Sequence, residues 1–208
     1  IYYRVHAQNF GWMGWAKNGK SAGTEGYGYR VEAIQIKIVK KGAQAPGTTE
    51  QCFSKKWTSI VYSAHVQDIG WQNNVKDGAL AGTTGESKRV EAIKISLSGQ
   101  KAEGSVEYSA HVQDIGWQKS VKDGALAGTT GKGKRVEAIK INLTGTLSES
   151  CDVYYRVHAQ DYGWLGWTKN GNPAGTEGLS KRIEAIEIKV VTKGDTAPEM
   201  GKEAFVKK

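Results

Sequence analysis

The stretch "YSAHVQDIGW", residues 62–71, returns letter for letter at residues 108–117. Close variants stand at residues 3–12, "YRVHAQNFGW", and at residues 155–164, "YRVHAQDYGW". All four histidines of the chain, His6, His65, His111 and His158, occupy the same slot in these decapeptides. Internal repetition therefore governs the reading. The alignment runs without gaps over 3–38, 62–97, 108–143 and 155–190. The middle copies differ only where Asn73, Asn74, Glu86, Ser87 and Ser96 become Lys119, Ser120, Lys132, Gly133 and Asn142. The outer copies share "GTEG" in place of "GTTG", and each has a second tryptophan, Trp15 or Trp167.

The histidine spacings are 59, 46 and 47 residues, which sum to 152. At that same offset "KGAQAPGTTEQCF" from Lys41 aligns with "KGDTAPEMGKEAF" from Lys193. A unit of three repeats, two short and one long-tailed, accounts for both facts. Residues 57–208 then form one complete unit, and residues 1–56 the last repeat of a preceding one. A grouping of 1–150 plus an orphan repeat is the circular permutation of the same pattern. The chain opens at Ile1 inside a motif, with no signal peptide, and is expected to be a piece of a larger multidomain protein.

Each core starts with a run rich in β-formers, "VYSAHVQ", and ends in "RVEAIKISL", where Ile93, Ile95 and Leu97 alternate with Lys94 and Ser96. Period-two alternation is the mark of a half-buried strand. Between them, Gly78, Gly82 and Gly85 mark turns that need unusual φ. No sustained 3.6-residue period appears, so helix should be scarce. A few short strands cannot bury their own apolar faces, but three such units around an axis can. The expected fold is an all-β domain with pseudo-threefold symmetry, β-trefoil-like or, as the alternative, a β-prism of three sheets.

Composition sets the outer bounds. The net charge of +8, from 29 Lys and Arg against 21 Asp and Glu, favours anionic partners. The lysines are spread over every repeat, which speaks against a nucleic-acid groove. No apolar run approaches the length of a membrane span, so no membrane insertion is expected. Cys52 and Cys151 lie outside the repeat cores and outside any zinc-ligand spacing. Whether they pair or remain thiols is open at this level.

The candidate residues weigh against catalysis. His6, His65, His111 and His158 sit in near-identical surroundings, and none has a nucleophile peculiar to it, whereas catalysis needs asymmetry around one substrate. They are read as structural imidazoles, with no metal and no cofactor expected. Arg89/Glu91 and the copies Arg30/Glu32, Arg135/Glu137 and Arg182/Glu184 are read as structural ion pairs. "AGTTG" lacks the lysine and helix of a phosphate loop and is read as a turn. Trp12, Trp71, Trp117 and Trp164 follow glycine in every copy and are expected to anchor the repeats in or near the core. Trp15 and Trp167 fill a slot that holds Asn74 and Ser120 elsewhere, so they are expected to be exposed. With Lys17, Asn18, Lys169 and Asn170 beside them, they form the candidate ligand-binding set.

"YSAHVQDIGWQ…GTTG…KRVEAIKI" and "YYRVHAQDYGWLGWTKNGNPAGTEG…RIEAIEIKV" resemble the clostridial hydrophobic repeat with its conserved tryptophan, the ChW repeat. The resemblance covers all four cores and implies a secreted or cell-surface protein of Gram-positive bacteria. It implies a non-catalytic role: binding a cell-surface glycan or anionic wall polymer, or docking a surface protein. The family tryptophan falls on Trp12, Trp71, Trp117 and Trp164, and no catalytic residues carry over. An enzyme is not expected.

Overall fold

In every repeat the two β-rich runs pair antiparallel. The opening strand Ser59–Val66 lies against the closing strand Val90–Ser98. Val106–Val112 pairs likewise with Val136–Leu143, Cys151–Ala159 with Ile183–Thr192, and Tyr2–Ala7 with Val31–Lys37. The computed structural model describes residues 1–25, 27, 29–55, 58–99 and 103–208. In the opening strand Tyr62, Ala64 and Val66 are buried together with Ser63, while His65 and Gln67 are only partly covered. All three glycines expected at turns take positive φ, +89° at Gly78, +111° at Gly82 and +77° at Gly85, but Gly82 lies in the short strand Ala81–Gly82 and not in a turn. Helix is confined to one short segment among the described residues, Gly145–Ser150.

The chain divides into two compact units, Ile1–Trp57 and Thr58–Lys208. The boundary expected between Lys56 and Trp57 lies outside the described residues. The larger unit contains three open sheets that exchange edge strands in a cycle. Ala81–Gly82 of the second repeat pairs with the closing strand of the fourth, in the register Ala81 to Ile186 and Gly82 to Ala185. Ala127–Gly128 of the third pairs in the same register with Ala92 and Ile93 of the second. Ala174 and Gly175 of the fourth pair with Ile139 and Ala138 of the third. Three handovers bring the cycle back to its start.

Side chains bolt the same joints. The Tyr62 hydroxyl donates to the Ala79 carbonyl in its own repeat and accepts the Ile188 N–H of the fourth repeat at 3.0 Å. Tyr108 does the same between Ala125 and Ile95, and Tyr155 between Asn172 and Ile141. These phenols are buried together with Ile60, Ile95, Ile141 and Ile188, so each hydroxyl is satisfied inside an apolar core, as burial of a polar group requires. Burial pushes the Tyr62 phenol up to about 12, and raises Tyr108 and Tyr155 as well.

The exchanged Ala–Gly strand needs support on its other side, and the two repeat types supply it differently. In the middle repeats a glutamine amide bridges it: Gln72 contacts both the N–H and the C=O of Gly82, at 2.6 and 3.0 Å, and Gln118 does so at Gly128. In the outer repeats that glutamine is replaced by Met13 and Leu165. There the long tail returns instead, with Phe53–Lys55 parallel to Gly23–Glu25 and Phe205–Lys207 parallel to Ala174–Glu177. Tail and missing glutamine are two sides of one substitution.

Both cysteines are free thiols. Cys151 is buried where its opening strand begins, and that burial raises its thiol pKa.

Candidate binding surface

The glycine of each "GW" takes positive φ, +83° at Gly70, turning the chain back so that Trp71 pairs across from His65. The imidazole meets the indole edge-on with ring centres 5.4 Å apart, and the other three repeats repeat this at 5.4–5.5 Å. On the closing strand the register slips between Val90 and Ala92, leaving Glu91 in a β-bulge. A bulge re-aims a side chain. Here it sets the carboxylate between Arg89, at 2.8 Å, and Nδ1 of His65, at 3.2 Å. The copies at Glu137 and Glu184 are alike. In these three repeats the imidazole nitrogen lies at ion-pair distance but off the line of a hydrogen bond, whereas His6 makes one to Glu32 at 3.0 Å. The Arg/Glu pairing expected from sequence is present, and histidine belongs to it. The signal for that was an RxE motif recurring in step with the histidine.

The tryptophans reverse their expected exposures. Trp12 and Trp71 are 41% and 37% exposed, and Trp117 and Trp164 are half-buried. They are surface rings braced by the repeat rather than core anchors. Trp15 and Trp167, expected to be exposed, are buried at 7% and 9%. The long tail covers them: the backbone N–H of Trp167 donates to Met200 O at 2.8 Å, and that of Trp15 to Thr48 O at 2.8 Å. The middle repeats have no tail to cover this slot, which explains how it accepts Asn74 and Ser120.

Each surface indole carries a cation on one face. Arg156 sits 4.5 Å from the ring centre of Trp164 and 4.9 Å from that of Trp167, sandwiched between the two. Arg4 lies 4.8 Å from both Trp12 and Trp15. In the middle repeats Lys94 lies over Trp71 and Lys140 over Trp117, at 4.7 and 4.2 Å. Around Arg156 opens a shallow groove of about 520 Å³, walled by Trp164, Trp167, Glu187, Lys189, Met200 and Lys202. In the first repeat Arg4, Trp15, Gln35, Lys37 and Pro46 wall its counterpart.

Lys169 and Asn170 are drawn elsewhere. Both donate to Asp152, at 3.0 and 2.8 Å, and Asn170 also accepts the Val153 N–H. Burial alone would raise the Asp152 carboxyl, but these donors hold it below its ordinary value. Lys17 is exposed beside Tyr2, and Asn18 forms a positive-φ turn. The grooves thus gather Trp15 and Trp167 with the strand arginines, without Lys17, Asn18, Lys169 or Asn170 in their walls. The arginines were missed because at Ser63 and Ser109 the middle repeats show no basic residue.

The "GTEG" of the fourth repeat also has a purpose. Glu177 accepts the indole N–H of Trp117 at 3.1 Å across the joint to the third repeat. Lys207 and then that indole hold the Glu177 carboxyl below its ordinary value. Among the described residues, no cluster of three or more His, Cys, Asp and Glu side chains is placed to hold a metal, and no helix is long and apolar enough to cross a membrane.

The family model described as Clostridial hydrophobic W matches the chain over residues 6–40, 65–99, 111–145 and 158–192. No curated protein and no solved structure matches it.

Proposed function

Since the chain belongs to the Clostridial hydrophobic W family, we propose that it is a non-catalytic module of a surface or secreted protein that binds glycan or anionic wall polymer through its braced indoles. The family is associated with clostridial surface proteins. One observation carries the reading: a half-exposed tryptophan stands at the same place in every repeat, fixed by a histidine edge and by a cation. A rigid, part-exposed aromatic ring with charged neighbours is suited to stacking on a sugar face while donors reach hydroxyls or phosphates. A shallow groove opens beside Trp164 and Arg156, and a counterpart beside Arg4 and Trp15. Four such rings on one chain allow weak contacts to add. The exchange of edge strands among three open sheets favours the prism-like of the two architectures expected for the three-repeat unit.

Calorimetric titration with purified wall polysaccharide and with an anionic wall polymer tests this. Binding should weaken in Trp164→Ala and in Arg156→Gln. Affinity for a polyanion should fall with added salt, because screening acts on exposed charge, while affinity for a neutral glycan should hold. No binding to either probe by the parent chain would overturn the reading.

A second reading, docking to protein, is favoured by the first repeat. Its closing strand Val31–Lys37 is exposed along its whole length.

A further inference from the structure

In the three-repeat unit the closing-strand residues Ile93, Ile95, Ile139, Ile141, Ile186 and Ile188 are completely buried. Their first-repeat counterparts Ile34 and Ile36 are 62% and 69% exposed. The strand that carries them pairs only with Tyr2–Ala7 among the described residues, and Gly23–Glu25 pairs only with Phe53–Lys55. The first repeat therefore presents both halves of the joint, unpaired: an open closing-strand edge and an open Ala–Gly edge.

The chain itself shows what fits these edges. At each joint of the larger unit an Ala–Gly pair lies antiparallel to an Ala–Ile pair, whether a middle repeat meets a middle or an outer one. The first repeat has Ala22–Gly23 and Ala33–Ile34 at those positions. Gly23 already holds φ of +110°, the value Gly82 and Gly128 take within the ring at +111°. Tyr3 donates to Lys20 O, as its counterparts donate to their own turns, leaving the acceptor face that elsewhere takes a neighbour's N–H. An interface that joins one surface to a different surface of an identical unit, with a rotation that closes, builds a ring. Within this chain the same joint closes after three.

We propose that the first repeats of three copies of this chain assemble head to tail into a second ring of the kind formed by Thr58–Lys208. In it Ala22 pairs with Ile34 and Gly23 with Ala33 of the next copy. The Gly19 and Thr24 N–H groups donate to the next copy's Ile36 and Glu32 carbonyls, and Tyr3 accepts the Ile36 N–H of that same copy, as Tyr62 accepts the Ile188 N–H of the repeat its Ala–Gly strand pairs with. Glu25 meets the next copy's Trp12 as Glu177 meets Trp117. The rings' indoles then multiply on one particle. The assembly stands whether or not those indoles bind glycan.

Light scattering and native mass spectrometry of the whole chain, over a wide range of concentration, test it. The expected species has three times the 22.6 kDa chain mass. Ile36→Glu places a charge on the exposed strand face and should return the mass to one chain with unchanged far-UV dichroism. Ile115→Glu, at an exposed isoleucine of the larger unit, should stay at three. A parent that remains one chain, or stops at two, would overturn the proposal. So would an Ile36→Glu chain that still reaches three, or an Ile115→Glu chain that disperses.

Discussion

Lys94 lies over the face of Trp71, and the residue directly across the sheet from Lys94 is Ser63. In the fourth repeat the corresponding pair is Glu187 and Arg156, and there the cation over the indole comes from the opening strand. The brace is kept while its source crosses from one strand to the other, because both positions project from the same face beside the ring.

That relationship makes the brace transferable. Lys94→Met should cost about 0.5–1 kcal/mol, the worth of an exposed cation–π contact. Adding Ser63→Arg to Lys94→Met should recover it, while Ser63→Arg in the parent should gain less, since the ring face is already occupied. Urea denaturation of the four variants reads the cycle. Equal effects of Ser63→Arg in both backgrounds would show that the positions do not share the ring.

The hydroxyls of Tyr62, Tyr108 and Tyr155 each serve a carbonyl in one repeat and an N–H in the next. Phenylalanine at any of the three leaves a buried backbone N–H, that of Ile188, Ile95 or Ile141, unpaired, at a cost of about 1–3 kcal/mol each. The three losses should be alike if the joints are equivalent, and denaturant midpoints check this. A variant as stable as the parent would break the equivalence.

Much of this was legible in the sequence. The closing strands follow from period-two alternation at Ile93 and Ile95, and the turns from Gly78 and Gly85, whereas Gly82 belongs to a strand. The 152-residue offset set apart a three-repeat stretch from the first repeat. What was hidden depends on contacts between distant segments. Trp15 and Trp167 look solvent-facing when compared with Asn74 and Ser120 alone, but their tail covers them. The signal was the co-occurrence of second tryptophan, tail and lost glutamine. The bulge at Glu91 was hidden too, since one slipped residue leaves the local alternation almost intact.

Glycine at the joint carries two burdens that substitution can separate. A Cβ on Gly128 would fall 2.6 Å from Ala92 Cα and closer still to the Glu91 carbonyl oxygen of the neighbouring repeat. A Cβ on Gly116 would meet nothing within 4 Å, although its φ is +80°. Gly116→Ala should therefore show backbone strain alone, roughly 1–2 kcal/mol. Gly128→Ala adds a clash with backbone that cannot rotate away, and should unfold the ring. Thermal melting of the two variants separates the burdens, and comparable melting temperatures would remove the joint's steric requirement for glycine.

The same tyrosines set an alkaline limit on stability. Burial, partly offset by the N–H each hydroxyl accepts, favours the neutral phenol, and the Tyr62 phenol rises from its ordinary value of 10.0 to about 12. Tyr108 and Tyr155 move in the same direction. Between these values the folded chain holds protons that the unfolded chain has released, so stability must fall as pH rises. The contribution is complete below about pH 10, and is lost as pH climbs through the folded value. Phenolate absorbance near 295 nm should show a group of tyrosines ionising only together with loss of far-UV structure. Denaturant midpoints should be flat below that window and decline within it. Full ionisation of every tyrosine with the fold intact would mean that the hydroxyls at the joints are open to water, and that the ring is not sealed where its repeats meet.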